Sequence, residues 1–130
     1  SIREPLGNII IEAGYCRKPV IASNVDGIPE IITDGVSGIL INPDKEISFN
    51  SIPNNAIPMP EVVINPKTLE LTRPKEIDPI KLCESIVFLA SSLNMRRLYG
   101  ENLHQAVIEK FNIENYYESV EKIYENLLKN

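Results

Sequence analysis

Glu4-Pro5-Leu6-Gly7-Asn8-Ile9-Ile10-Ile11-Glu12-Ala13 is the stretch around which this chain is organised, a turn running straight into a helix. From Pro5 to Cys16 the strongly polar side chains are Asn8 and Glu12, four apart and so on one helix face, with Tyr15 three further along the same stripe. The other faces are apolar or Gly, which predicts a helix over about residues 7–16 that is buried on nearly every side. Its polar stripe then opens onto solvent, a cation or a ligand cleft, because Glu is rarely buried without a partner. The first turn also presents backbone N–H groups without intrahelical acceptors at the positive end of the helix dipole, a setting that favours phosphate or carboxylate. Gly7 has no side chain to keep a ligand off the backbone. The plainer alternative makes Glu4 an acid outside the positive helix end and Glu12 part of a solvated stripe. Spacing does not choose between them, since glutamates eight apart recur at Glu76/Glu84 and Glu101/Glu109. What distinguishes the first pair is its apolar context.

Working outward, Arg17 and Lys18 precede Pro19, which cannot continue a helix and restricts the residue before it. Pro19-Val20-Ile21-Ala22-Ser23 and Gly38-Ile39-Leu40-Ile41-Asn42 are short apolar runs bounded by turn residues, as in parallel strands covered on both faces. Between them Pro29-Glu30-Ile31-Ile32 predicts a short helix with Pro at its first position, completing a minimal βαβ unit of right-handed crossover. In residues 44–77, Pro53, Pro58, Pro60, Pro66 and Pro74 forbid a regular helix. There Val62-Val63-Ile64-Asn65-Pro66-Lys67-Thr68-Leu69-Glu70-Leu71-Thr72 alternates about a turn, which predicts a hairpin projecting as an arm, with a decorated surface insertion as its simplest account.

From Asp78 the sequence reads as helix to its end. Asp78-Pro79 is a cap followed by a first-position Pro, and Ile80, Cys83, Ile86, Val87, Ala90 and Leu93 form one face. A second helix is expected over about residues 94–110, with Met95, Leu98, Tyr99, Leu103, Ala106 and Val107 inward. A third, over about 113–128, carries Tyr117, Val120, Ile123, Tyr124 and Leu127 as a core-facing stripe. Cys16 and Cys83 fall at apolar helical positions and read as buried reduced thiols, which suits the cytoplasm. His104 stands alone and reads as a surface or boundary residue rather than a metal ligand or base.

With 130 residues, 43% of them hydrophobic and 24% charged, the chain supports one α/β domain with a real core. A net charge of −5 with 13 scattered Lys and Arg gives no basic patch for nucleic acid, and no apolar run reaches the roughly 18 residues of a membrane span. The N-terminus lacks the charged-then-apolar pattern of a signal peptide.

The ordered string Ser1-Ile2-Arg3-Glu4-Pro5-Leu6-Gly7, Glu12-Ala13, Lys18-Pro19-Val20-Ile21-Ala22-Ser23, Gly27-Ile28-Pro29-Glu30-Ile31-Ile32 and Gly35-Val36-Ser37-Gly38-Ile39-Leu40 resembles the C-terminal donor-binding region of family 4 glycosyltransferases, retaining enzymes of GT-B fold. Arg97-Leu98-Tyr99-Gly100-Glu101-Asn102 and Phe111-Asn112-Ile113-Glu114 are similar to that family's tail, so the likeness covers residues 1–43 and 78–130. It implies a partial Rossmann-like parallel sheet flanked by helices, the C-terminal half of a nucleotide-sugar domain, with 44–77 as an insertion and 78–130 as a helical tail. It further implies that Glu4, the candidate catalytic residue, touches hydroxyls of the donor sugar and that Glu12 holds the nucleotide ribose. Amides around Leu6, Gly7, Asn8 and Ile9 would face the diphosphate or the sugar. Two residues depart from the family pattern: Arg17 and Asp26 stand where Gly is usual. Arg17 in a left-handed helix stop costs on the order of 1 kcal/mol, while Asp26 either crowds the donor side or shapes the turn.

The resemblance implies a retaining transferase moving a sugar from a nucleoside-diphosphate sugar to a glycan, lipid or small hydroxyl acceptor. No Asp-x-Asp metal signature and no cofactor are expected. Acceptor binding and the basic diphosphate contacts belong, in that family, to an N-terminal domain and upstream residues, so the chain alone is expected to be inactive. An unpaired sheet edge beside Val20 to Ser23 invites a partner strand or self-association. The alternatives are a non-catalytic nucleotide- or protein-binding α/β module, a nucleotide-sugar isomerase of related architecture, and a purely structural fragment. Donor sugar, base, acceptor and oligomeric state are not encoded in these residues.

Overall fold

In a computed structural model the structure describes residues 4–47 and 60–128. The expected strand tail at residues 1–3 and the prolines 53 and 58 lie outside them. Chain order is α1 (Asn8–Tyr15), β1 (Ile21–Ser23), α2 (Ile28–Ile31), β2 (Ile39–Ile41), β3 (Lys45–Glu46), β4 (Val63–Ile64), β5 (Leu71–Thr72), β6 (Lys75–Glu76), α3 (Pro79–Ser91), α4 (Leu93–Lys110) and α5 (Ile113–Leu128). The fold is mixed α/β, with β1 and β2 parallel through Ile21↔Ile39, Ala22↔Leu40 and Ser23↔Ile41. No described helix is long and apolar enough to cross a membrane.

Local chemistry sets the ends of α1. Gly7 precedes it at φ 81°, a left-handed conformation that suits Gly. At the other end Arg17 N–H donates to Gly14 O at 2.9 Å and Lys18 N–H to Ala13 O at 2.8 Å, the paired bonds of a Schellman stop, with Arg17 at φ 52°. The left-handed turn is thus kept although its residue is Arg.

One face of α1 lies against α4, and the approach is close because two glycines permit it. A Cβ on Gly14 would stand 2.7 Å from Val107 Cγ2, and one on Gly100 would stand 2.2 Å from the Arg17 carbonyl oxygen. Ile10 joins Val25, Ile28, Ile31, Ile32, Leu103 and Val107 in the core between α1, α2 and α4. His104 is buried there rather than at the surface, its Nδ1 donating to Gly14 O at 3.1 Å. That main-chain acceptor, 90 positions away, is what lets an imidazole sit inside.

The other face of α1 departs from expectation. Ile9 is 74% exposed, and Leu6 and Cys16 are exposed too, so the helix is half-covered rather than enclosed. Cys83 is likewise exposed, on α3. The same correction applies to the tail. α3 turns Leu82, Ser85 and Leu89 inward, while Ile80, Ile86 and Val87 face solvent. In α4 Leu98 is exposed, and α5 carries no buried residue, its Tyr117, Ile123, Tyr124 and Leu127 all outward. Periodicity located each apolar stripe, but a stripe is buried only where something packs on it.

Residues 63–72 form the expected hairpin, β4 pairing antiparallel with β5 through Val63↔Thr72 and Ile64↔Leu71. Asn65 N–H donates to Glu70 O at 3.0 Å across its turn, and β3 pairs with β6 at its base. It does not project. Val63 is buried, and Ile64 N–H donates to Asp26 Oδ1 at 3.0 Å, so the hairpin folds back over the loop after β1.

The bonds Ile39 N–H to Val20 O (3.0 Å) and Asn24 N–H to Ile41 O (2.8 Å) turn residues 20, 22 and 24 toward β2. The peptide groups of Ile21 therefore face the outer edge foreseen beside Val20 to Ser23. On the far side of β2 the Leu40 N–H is taken by Asp34 Oδ1 at 2.8 Å.

Candidate functional site

In open α/β sheets ligands bind beyond the carboxyl ends of the strands. Here Asn24 and Asn42 each stand one residue past a strand, and Asn24 Nδ2 donates to Asn42 Oδ1 at 2.7 Å. The turn before α1 meets the first of these loops. Gly27 packs against the Pro5 carbonyl, and the Glu4 N–H donates to Asp26 Oδ2 at 3.0 Å. Asp26, at φ 43°, thus holds the Glu4 turn through one oxygen and the hairpin through the other. It shapes the turn and ties three segments together.

Glu4 is half-buried, and its Oε1 accepts the Gly7 N–H at 3.1 Å. That bond engages the Gly7 amide within the chain. Gly7 is buried, and a Cβ there would stand 2.9 Å from Ile10 Cδ1, so its missing side chain serves packing and the left-handed φ more than ligand approach. Ile10 N–H closes onto Gly7 O at 2.8 Å. The main-chain N–H groups of Leu6, Asn8 and Ile9 remain without acceptors among the described residues. They are the first-turn donors that a helix leaves open to an anion.

Glu12 lies on the exposed stripe with Asn8, and its carboxylate has no ion pair or hydrogen bond among the described residues. Tyr15, third on the stripe, is used structurally: its hydroxyl donates to Phe111 O at 3.2 Å, fastening α1 to the end of α4. The structure therefore brings Glu4, Leu6, Gly7, Asn8 and Ile9 together at one helix end, with Glu12 one turn on.

The hollows lie beside this end rather than in front of Gly7. One, of about 560 Å³, is lined by Pro5, Gly27, Pro29 and Glu30 on one side and by Val62, Ile64, Leu69 and Leu71 of the hairpin on the other. A second, of about 330 Å³, lies across the hairpin against Asn24 and Asn42. Neither is lined by Glu4, Gly7, Asn8 or Glu12. Sequence reasoning missed the hairpin as a wall of these hollows. The available signal was Asp26, a short carboxylate in a turn with two amides to satisfy.

Similar proteins agree with the motif string. The chain is 37% identical over 70 residues to an alpha-maltose-1-phosphate synthase of Mycobacterium tuberculosis, covering 54% of this chain and 18% of that protein. It is 49% identical over 41 residues to a D-inositol 3-phosphate glycosyltransferase of Streptomyces bingchenggensis, covering 32% of this chain and 9% of that protein. An uncharacterized glycosyltransferase of Methanocaldococcus jannaschii matches at 24% over 123 residues, 95% of this chain and 23% of that one. The chain thus spans less than a quarter of the length of these relatives. The family model for glycosyl transferases group 1, whose fold is the Rossmann-like GT-B type, matches residues 1–68. That match takes in the Glu4 turn, α1, the parallel pair and the start of the hairpin, over half of the sequence, and the chain belongs to this glycosyltransferase family.

Proposed function

We propose that this chain is the C-terminal half of the donor domain of a retaining glycosyltransferase, which moves a sugar from a nucleoside-diphosphate sugar to a hydroxyl of a glycan, lipid or small acceptor. The observation that carries the reading is the pairing at one helix end of open main-chain donors with an uncommitted carboxylate: the Asn8 and Ile9 amides, then Glu12. Negative charge grows on the diphosphate as the sugar leaves, so amides already aimed outward stabilise that charge without reorganising. Glu12 accepts hydrogen bonds from the two ribose hydroxyls. Glu4 orients the sugar through its hydroxyls with the oxygen that does not hold Gly7, a positioning role and not that of a nucleophile or base. The two carboxylates have separate tasks and do not flank one bond, which sets this site apart from glycoside hydrolysis. Acceptor binding falls to a companion domain, and the chain by itself is expected to turn nothing over.

The test uses the full-length protein, with nucleotide-sugar consumption as readout and thermal melting as control. Glu12→Ala is expected to raise the donor KM by roughly tenfold or more, the loss of about 1.4 kcal/mol of ribose contact. Glu4→Gln is expected to lower kcat while leaving the melt close to wild type, because its amide oxygen still accepts the Gly7 N–H. A donor KM untouched by Glu12→Ala would remove the basis of the assignment.

A further inference from the structure

The side of α1 turned toward α4 carries a hydrogen bond that its acceptor does not require. Gly14 O already accepts the Arg17 N–H at 2.9 Å, so that carbonyl is satisfied without His104. The buried imidazole donates to it all the same, from Nδ1 at 3.1 Å. Its neighbours in α4, Leu103 and Val107, are wholly buried apolar residues. A side chain of their kind at position 104 would pack without the cost of taking a polar ring out of water. What a hydrogen bond adds over apolar packing is direction.

Direction is what this contact otherwise lacks. At Gly14 α1 offers α4 bare backbone, with no side chain to interlock against Val107, and just past the helix the Arg17 carbonyl meets Gly100 in the same way. Two other polar ties hold this end of α1, Tyr15 Oη to Phe111 O at 3.2 Å and Arg17 to Glu101 at 3.1 Å. Both are exposed, and water competes for their partners. Among the described residues the His104 bond is the buried one.

Gly14 follows Glu12 by two residues, which places them on nearly opposite sides of the helix. A tie on the Gly14 side therefore sets where the Glu12 side faces. Turning α1 by about 20° carries the end of a long side chain by roughly 2 Å, enough to break a hydrogen bond. We propose that His104 is a positioning residue for the donor: through Gly14 O it fixes the rotation of α1 on α4, and so holds the Glu12 carboxylate where the ribose hydroxyls reach it. The proposal rests on the reading of Glu12 as the ribose contact. His104 itself, behind the helix, touches no substrate.

The experiment measures donor KM, kcat and melting for the full-length protein carrying His104→Leu, His104→Asn, His104→Gln, Glu12→Ala, or His104→Leu together with Glu12→Ala. Leu is apolar and loses the bond. The Asn Nδ2 falls close to the place of Nδ1, whereas the Gln amide reaches that of Nε2. His104→Leu is expected to melt no lower than wild type and yet to raise the donor KM about fivefold with kcat nearly unchanged. His104→Gln is expected to raise KM likewise. His104→Asn, which leaves a cavity, is expected to melt lower and to keep KM within about twofold of wild type. A role confined to stability would give the reverse order, so the crossing of melting and KM identifies positioning. In the Glu12→Ala background, where the ribose contact is already lost, His104→Leu is expected to change KM no further.

Glu12→Ala with its full loss, beside His104→Leu and His104→Gln of normal KM, overturns this inference and leaves the ribose reading intact. Equal KM values for His104→Asn and His104→Gln do the same, as does an effect of His104→Leu that persists undiminished in the double variant. Glu12→Ala without effect on the donor KM removes the ribose reading, and this inference with it.

Discussion

Gly27 lies against Pro5 so closely that a Cβ on it would stand 2.1 Å from the Pro5 carbonyl oxygen and 3.6 Å from the Leu6 Cα. Gly27 itself has φ −83°, so the demand is for space and not for unusual backbone. The contact seats the Glu4 turn on the loop after β1 and so fixes where the Asn8 and Ile9 amides point. Gly27→Ala is therefore expected to destabilise the protein by about 1–3 kcal/mol through overpacking against rigid main chain. It is also expected to weaken donor binding, since the turn must retreat. Melting and nucleotide-sugar affinity read the two effects separately; a variant that melts and binds like wild type would mean the turn moves freely.

Asp26 makes the opposite case, where side chain outweighs backbone. At φ 43° an L-residue bears a cost of about 1–2 kcal/mol, reduced for Asp, which a glycine would relieve. Its carboxylate, however, accepts Glu4 N–H and Ile64 N–H at 3.0 Å each, and hydrogen bonds to a charged group are worth about 1.5–3 kcal/mol apiece. The bonds win. Asp26→Gly is expected to cost about 1–3 kcal/mol despite relieving the left-handed backbone, and to speed protease cutting in the hairpin. Unchanged cutting rates would show that the hairpin is held elsewhere.

These two positions mark what the sequence could and could not disclose. The start and stop of α1, the Pro29 helix and the Asp78 cap were legible because each depends on neighbours within a few residues, and the parallel pair, which joins distant residues such as Ile21 and Ile39, because each strand is a short apolar run bounded by turn residues. Side-chain exposure was not. Ile9, Ile80 and Tyr117 belong to apolar stripes that read as core, yet each faces outward because no described element packs there. His104 failed in the other direction, since the Gly14 carbonyl that satisfies it has no sequence signature. In the candidate site, the motif placed Glu4 and Glu12 together, but not that Glu4 would already hold the Gly7 amide.

Arg17 tests how much backbone strain the fold tolerates. Its left-handed φ of 52° costs about 1–2 kcal/mol relative to Gly, whereas a glycine raises unfolded-state entropy by about 0.5–1 kcal/mol. The ion pair with Glu101 at 3.1 Å is more than half exposed at both ends, and such pairs add only about 0.2–1 kcal/mol. The terms nearly cancel, so Arg17→Gly is expected to shift stability by no more than about 1 kcal/mol in either direction. Arg17→Val, β-branched in the same conformation, is expected to be clearly less stable than either. Equal stability for Gly and Val would mean that the left-handed turn had been abandoned.

Asp78 gives the start of α3 a pH dependence whose sign is fixed. The Ile80 N–H, donating to its Oδ1 at 2.9 Å, holds its carboxyl below the ordinary value of 3.8, and the Lys45 ammonium at 3.0 Å adds to the effect. A carboxyl depressed in the folded state stabilises above its ordinary value and loses that contribution as pH falls through the lower folded value. Lys81 behaves as the mirror image: its hydrogen bond to Asp44 raises its ammonium above 10.5, so its contribution persists below that value and fades only as pH climbs past it. Both are therefore complete from about pH 5 to pH 9. Asp78→Asn keeps a capping oxygen for Ile80 but removes the titrating charge. Denaturant titrations of the two proteins should differ most at neutral pH, with wild type the more stable, and converge as pH drops below 3.8. A gap that stayed constant into acid would assign the whole effect of Asp78 to capping geometry and none to its charge.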